Sequence, residues 1–267
     1  MIKLGLLGHN ISYTLSPLVH GNIFSYMGAE GSYDVYDTPP EELEKTVARM
    51  KGELLGFNVT KPYKTDVIRL IDSDRSGCGA VNTVAVTADG AVGYNTDGYG
   101  FIFGFTAEGL VPTGGDVLVL GAGGAARVVV KELTEHGYRV FVHNRTAAKL
   151  EPLISEYKAL PWRGGRVDAV VNCTSCGLNG GENPLDALKG ELLPKDFAFA
   201  YDLIYSPPET DFLKEARGRG AATANGLDML IYQAIRADEL ILGMSFSASD
   251  YRSIAARIKA LATKQTP

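Results

Sequence analysis

The 267-residue chain has little cysteine, one tryptophan and no excess of basic charge. Its three cysteines, Cys78, Cys173 and Cys176, are an odd, sparse set. That excludes a dense disulfide framework and suits a reducing cytoplasm. Cys173-Thr174-Ser175-Cys176 forms a C-x-x-C, but no thioredoxin-like context or further ligands accompany it. The four histidines, His9, His20, His136 and His143, form no ligand pattern, so no metal is expected and the spacing reads as coincidence in a loop. Lys and Arg total 26 against 31 Asp and Glu, a net charge of −5. With the two signs interspersed, nucleic acid is a poor partner, since phosphate binding needs a basic face. No apolar run approaches a membrane span. The opening MIKLGLLG is too short for a signal peptide and reads as a first strand. Small molecules remain as partners, to a chain that is a monomer or a homodimer.

What is present is a full core: 45% of residues are apolar and 21% charged, enough for one large or two ordinary domains. Strand-like and helix-like segments alternate. Residues 2–7, 33–36 and 54–59 read as strands. Residues 17–27, 41–50 and 62–71 read as helices, with Leu43, Val47 and Met50 at helical spacing. Residues 80–86 and 91–94 then form a hairpin around the turn signal Asp89-Gly90. This predicts a mostly parallel sheet with an antiparallel addition. A connecting helix is expected over 97–110. A second series follows, with strands at 117–120, 139–143, 167–172 and 197–202 and helices at 125–136 and 147–157. Residues 177–184 read as a Gly- and Pro-rich loop. Two helices, 227–242 and 248–262, close the chain.

Gly121-x-Gly123-x-x-Ala126 follows a strand and opens a helix, the context in which this pattern binds a dinucleotide. One glycine permits the tight turn, the next lets backbone approach a pyrophosphate, and the small third residue allows close helix packing. The helix N-terminus faces the phosphates. The second strand ends in Asn144-Arg145-Thr146, beginning 23 positions after Gly121 (144 − 121). An NAD site places an acid about 20 residues on. Here a guanidinium stands instead, with Lys149 one turn further, and a ribose phosphate suits both. That favours NADP over NAD. The plain alternative for Arg145 is a solvated surface arginine.

Three further segments carry candidate chemistry. Ser16-Pro17 resembles a helix start, with Ser16 as N-cap, and the Thr14 and Ser16 hydroxyls could also meet a carboxylate there. Lys64, in the segment Asn58-Val59-Thr60-Lys61-Pro62-Tyr63-Lys64, is expected in the first turn of a helix. Asp97, in Tyr94-Asn95-Thr96-Asp97, opens another. Taken singly, a solvated lysine and a capping aspartate explain them. Together, a lysine and a carboxylate can hold or pass a proton. Beside a nucleotide fold, that points to hydride transfer.

In combination these segments resemble the shikimate dehydrogenase family, including the shikimate/quinate dehydrogenases, over essentially the whole chain. The likeness rests on Ser16-Pro17-x-x-His20, Asn58-Val59-Thr60-x-Pro62-x-Lys64, Gly79-Ala80-Val81-Asn82-Thr83 and Asn95-Thr96-Asp97. It continues through the glycine loop, Asn144-Arg145-Thr146, Asn172-x-Thr174-Ser175-x-Gly177, Tyr201-Asp202-Leu203-x-Tyr205-x-Pro207 and Gly226-x-x-Met229-Leu230-x-x-Gln233. The resemblance implies an α/β protein of two domains: a substrate domain over 1–97, a Rossmann-like NADP domain over 98–224, and C-terminal helices over 225–267 returning to the substrate domain. It implies reversible reduction of 3-dehydroshikimate to shikimate, with Lys64 and Asp97 as the catalytic pair. Thr14, Ser16, Thr60, Asn82, Tyr205 and Gln233 would hold the substrate. Gly121, Ala122, Gly123, Gly124, Ala125, Asn144, Arg145, Thr146, Lys149 and Thr174 would line the cofactor, with the nicotinamide near Gly226 and Met229.

The chain departs from the family pattern at Asn10, Tyr13 and Thr14, where Pro, His and Ser are usual. These fall in the expected carboxylate loop. They leave open a quinate/shikimate dehydrogenase that accepts NAD. A non-catalytic metabolite sensor of the same fold is a further alternative, against which the intact Lys64 and Asp97 speak.

Overall fold

The structure, a computed structural model, describes residues 1–11, 14–107, 111–178 and 180–265, with side chains to residue 262. The departure at Tyr13 lies outside the described residues. The chain forms two compact units, Met1–Gly100 with Ile231–Pro267, and Phe101–Leu230.

The first unit is built on a six-stranded sheet. Its strands are β1 (Ile2–Gly8), β2 (Gly31–Asp37), β3 (Gly56–Val59), β4 (Ser73–Asp74), β5 (Thr83–Thr87) and β6 (Gly90–Tyr94), in the order β2-β1-β3-β5-β6-β4. β2, β1 and β3 run parallel, and the β5–β6 hairpin adds antiparallel to β3. α1 (Ser16–Tyr26) joins β1 to β2, and α2 (Leu43–Glu53) joins β2 to β3. The helical spacing seen in the sequence is the buried stripe of α2, where Leu43, Val47 and Met50 pack with Leu7, Phe57, Val59 and Val84.

The second unit holds β7 (Asp116–Leu120), β8 (Arg139–His143), β9 (Leu160–Pro161), β10 (Ala169–Asn172), β11 (Phe199–Asp202) and β12 (Ala222–Asn225). The order is β12-β11-β10-β7-β8-β9 and every pairing is parallel. The chain runs outward from β7 through β8 to β9, then returns to the other side of β7. This is the doubly wound order, whose ligand crevice lies at the strand C-termini where the direction reverses. The apolar runs at 117–120 and 169–171 are buried, as strands covered on both faces must be. α4 (Gly124–Glu135), α5 (Glu151–Tyr157) and α6 (Asp211–Gly218) supply crossovers. α3 (Asp97–Thr106) and α7 (Leu227–Leu242) belong partly to each unit, and α8 (Ala248–Gln265) to the first.

Three expectations are corrected. Residues 62–71 are not an α-helix: Lys64 lies in a turn, followed by a short 3-10 helix at Asp66–Leu70. The Lys64 carbonyl accepts from Val81 N–H at 2.7 Å, and Ile68 N–H turns to Thr65 O, so the bond a helix would need is not made. Ser16 is not an N-cap: the flanking residue is Leu15, and no side chain among the described residues caps α1. Residues 147–157 are not one helix, because a 3-10 turn at Ala147–Leu150 precedes α5, with Pro152 in its first turn.

Candidate active site

Antiparallel pairing assembles the site in the first unit. β5 opposes β3 with Thr83 against Asn58, and β6 opposes β5 with Tyr94 against Thr83. The C-terminal end of β3, the start of β5 and the end of β6 therefore meet. Asn82, Asn95-Thr96-Asp97 and the turn bearing Lys64 meet with them.

Lys64 Nζ donates to Asp97 Oδ2 at 2.5 Å, and both side chains are partly exposed. The other Asp97 oxygen accepts from Asn82 Nδ2 at 2.8 Å. Asn82 is itself fixed: its Oδ1 accepts from Thr96 N–H at 2.8 Å and from the Thr83 hydroxyl at 3.0 Å. The Thr96 N–H can only donate, which sets which end of the Asn82 amide faces Asp97. Gln233 of α7 joins them, its Oε1 lying 3.3 Å from Asn82 Nδ2 and from Thr96 Oγ1. Asn95 Oδ1 accepts from the Asp97 N–H at 3.0 Å. Asn82, Thr83 and Thr96 are buried, so the partly exposed Lys64–Asp97 pair stands on a rigid polar floor.

Thr14 and Ser16 lie at the start of α1. Thr14 Oγ1 donates to Ser16 Oγ at 3.0 Å and accepts from Ser16 N–H at 3.2 Å. Thr60 follows β3, half-buried, and its N–H bonds to Leu7 O at 2.8 Å. The loop after β1 is clamped by Asp37, which accepts from the N–H groups of Asn10 (2.8 Å) and Ile11 (3.2 Å). Asn10 has φ of +57°, a conformation asparagine tolerates and proline is denied. The replacement of the usual proline thus has a local structural reason.

The remaining candidates belong to the second unit. Gly121 follows β7 with φ of +112°. A Cβ there would stand 3.2 Å from Cys173 backbone and from Thr174 Cγ2, so the loops after β7 and β10 touch at the switch point. Gly123 precedes α4 and Gly124 opens it, and a Cβ at either meets nothing within 4 Å, leaving the helix N-terminus with Ala122 and Ala125 an open cradle. Asn144 Nδ2 donates to Thr146 O at 2.9 Å, closing the turn after β8. Arg145, Thr146 and Lys149 are exposed, and neither basic side chain has an acidic partner among the described residues. A ribose phosphate fits this donor set.

Thr174 is positioned from below. Its N–H and hydroxyl donate to Asn172 Oδ1 at 3.0 and 2.6 Å, and Asn172 Nδ2 donates to Asp202 Oδ1 at 3.0 Å. Asp202 also accepts from Thr210 Oγ1 at 2.6 Å and Ile204 N–H at 3.0 Å, and burial raises its pKa. The Cys173 thiol is pushed up by burial and by the Asp202 charge, leaving it a poor thiolate. Gly226 has no room for a side chain, since a Cβ would fall 2.0 Å from Leu203 O. Tyr205 lies half-buried in the loop after β11, and Met229 packs on the core cluster that includes Tyr201 and Phe101.

Sequence reasoning gave Thr83, Thr96 and Asn95 no role, although they orient Asn82 and Asp97. Their signal is their place beside Asn82 and Asp97 in the sequence. Pairing across strands supplied what spacing could not.

A doubly wound dinucleotide sheet in one unit and a braced lysine–carboxylate pair in the other are the parts of a nicotinamide-dependent dehydrogenase. Residues 6–84 match the model of the shikimate dehydrogenase substrate binding domain, and residues 110–173 that of shikimate / quinate 5-dehydrogenase. The NADP(+) shikimate dehydrogenase of Thermus thermophilus is 38% identical over 91% of this chain and 94% of that protein. That of Caldicellulosiruptor saccharolyticus is 37% identical over 90% and 92%. A crystal structure of the Thermus thermophilus shikimate 5-dehydrogenase in complex with NADP(H) and shikimate superposes with a TM-score of 0.85. It is 35% identical and covers 97% of this chain and all of that one. The chain belongs to the shikimate dehydrogenase family.

Proposed function

We propose that this chain catalyses the NADP-dependent, reversible reduction of 3-dehydroshikimate to shikimate, a step that supplies aromatic amino-acid and chorismate synthesis. The observation that carries the reading is the Lys64–Asp97 ion pair braced by Asn82, in a chain alike over nine-tenths of its length to NADP(+) shikimate dehydrogenases. NADPH, when bound, supplies the hydride. Lys64 brings its ammonium group to the oxygen of the ring carbonyl, which gains negative charge as the hydride arrives, and stabilises it either by charge alone or by giving it a proton. Asp97 holds the lysine aimed, and Asn82 keeps Asp97 in place. Thr60, Asn82, Tyr205 and Gln233 bind the substrate's polar groups, while Thr14 and Ser16 take its carboxylate. Gly121 to Ala125 cradle the pyrophosphate, Asn144, Arg145, Thr146 and Lys149 hold the adenosine end, and Thr174, Gly226 and Met229 border the nicotinamide. Three unpaired cysteines suit a cytoplasmic location, and no described helix is long and apolar enough to cross a membrane.

NADPH absorbance followed with 3-dehydroshikimate and then with 3-dehydroquinate tests the reading. Oxidation with the first is expected. Oxidation only with the second would establish the quinate enzyme, and none with either would favour the sensor.

The carboxylate assignment has its own test. Thr14→Val/Ser16→Ala is expected to raise the KM for shikimate about 10-fold or more, two hydrogen bonds to a charged group being lost, and to spare the KM for NADP. Ser16 does not cap α1, but Thr14→Val removes the acceptor of the Ser16 N–H, so a stability loss of about 1 kcal/mol is expected. An unchanged shikimate KM would place the acid elsewhere. Thr14→Ser should be tolerated and should shift the shikimate-to-quinate ratio of kcat/KM.

A further inference from the structure

Behind Ser16 lies a buried histidine–carboxyl pair that the chemistry above does not use. His20 Nδ1 and Asp238 Oδ1 are 2.8 Å apart, their side chains 1% and 0% exposed. His20 sits on α1 one helical turn after Ser16, on the same face. Asp238 sits on α7, the helix that carries Gln233. The His20 ring stacks on Tyr33, centroids 4.0 Å apart and planes within 8°. The Tyr33 hydroxyl, a near neighbour of Ser16, donates to Asn58 Oδ1 at 2.9 Å. Asn58 Nδ2 donates in turn to Thr83 Oγ1 at 3.1 Å, and Thr83 donates to Asn82. A continuous buried chain of contacts thus runs from Asp238, behind the expected acid-binding hydroxyls, to the floor beneath Asp97.

This pair is a poor device for stability. Asp238 Oδ2 is buried without a hydrogen-bond partner among the described residues. A buried carboxyl oxygen left without a partner is costly, and apolar replacement of such buried polar pairs is often neutral or stabilising. What the pair does provide is one fixed geometry between two helices, which an apolar contact specifies less sharply.

We propose that the His20–Asp238 bridge is a positioning device for the acid-binding end of the site. It locks α1 to α7 so that the Ser16 hydroxyl, and Thr14 bonded to it, stay placed for the substrate carboxylate. His20 and Asp238 are positioning residues that set carboxylate affinity and leave the chemical step alone. The proposal rests on the functional reading above.

The test measures KM for shikimate and for NADP, kcat and Tm on the full chain and three variants. Asp238→Leu is expected to raise the shikimate KM about 5–30-fold, the factor a shift of one or two kcal/mol produces, with kcat and the NADP KM little changed. Asp238→Asn keeps an oxygen for the His20 Nδ1–H and should restore a KM near wild type. His20→Phe/Asp238→Leu removes the buried polar pair and keeps a ring on Tyr33. It should hold or raise Tm while the high KM persists, so that a folding defect in the single variant decides nothing by itself. An unchanged shikimate KM in Asp238→Leu and in the double variant overturns the proposal. So does a parallel loss in both substrates, a KM for Asp238→Asn as high as for Asp238→Leu, or a normal KM in the double variant. A wild type without turnover overturns the functional reading and this proposal with it, whereas an active wild type with indifferent variants overturns the bridge alone.

Discussion

Lys64→Ala is expected to lower kcat about 10²–10⁴-fold, the range for removing a positioned proton-transfer group, while the protein stays folded. The fold survives because Lys64 lies in a turn and its side chain is 32% exposed. An ion pair that open contributes at most ~1 kcal/mol to stability. Asp97 keeps its bond from Asn82, so the floor of the site stands. Lys64→Arg then divides two roles. A guanidinium keeps the positive charge but does not give up its proton near neutral pH. Activity retained in the arginine variant means that Lys64 acts by charge alone. Activity lost in both means that it delivers the proton. Asp97→Asn should also impair turnover, since the amide cannot hold the ammonium by charge. Steady-state kinetics with matched Tm values separates these outcomes. Normal turnover in Lys64→Ala removes the lysine from the mechanism, and a purely thermal effect of Asp97→Asn makes it a structural aspartate.

The second unit was legible because its signals are local. A buried parallel strand is a short apolar run, a glycine loop follows it, and both are contiguous in the chain. The short outer strands β9 and β12 escaped, Leu160–Pro161 for its length and Ala222–Asn225 for its polar composition. In the first unit, what was misread is what tertiary contacts decide. Residues 62–71 have apolar residues at helical intervals, yet Tyr63 is buried with its hydroxyl bonded to Thr38 O at 2.6 Å, and the Lys64 carbonyl is taken by Val81. Both partners are remote in sequence, and together they outweigh local propensity. Ser16 shows the same limit at one residue: its N–H finds Thr14 Oγ1, and the helix starts a residue earlier than a cap would set it. The His20–Asp238 pair was out of reach, its partners standing 218 positions apart with no pattern linking them. The motif residues carried the candidate site, and the structure added what orients them.

Arg145→Ala is expected to raise the KM for NADP about 10–150-fold, the equivalent of one charged hydrogen-bonding contact of ~1.5–3 kcal/mol, and to leave the KM for NAD nearly unchanged. Arg145 lies in the turn after β8, where the carboxylate of an NAD site would accept from the ribose hydroxyls. No such acid stands in Asn144-Arg145-Thr146, and the Asn144–Thr146 bond shapes the turn so that the guanidinium projects into solvent. A planar fork there matches two phosphate oxygens at once. Lys149, exposed one turn on, adds a point charge, so Lys149→Ala should have a smaller effect in the same direction. Both contacts lie in water, so the preference for NADP should shrink as ionic strength rises and counterions screen the phosphate. Arg145→Asp goes further: the carboxylate repels the phosphate and accepts from ribose hydroxyls, and the ratio of kcat/KM for NADP to that for NAD should fall below its value in Arg145→Ala. That ratio, measured for wild type and the three variants at low and high salt, is the deciding quantity. If Arg145→Ala weakens both cofactors equally, the arginine supports the loop and does not read the phosphate.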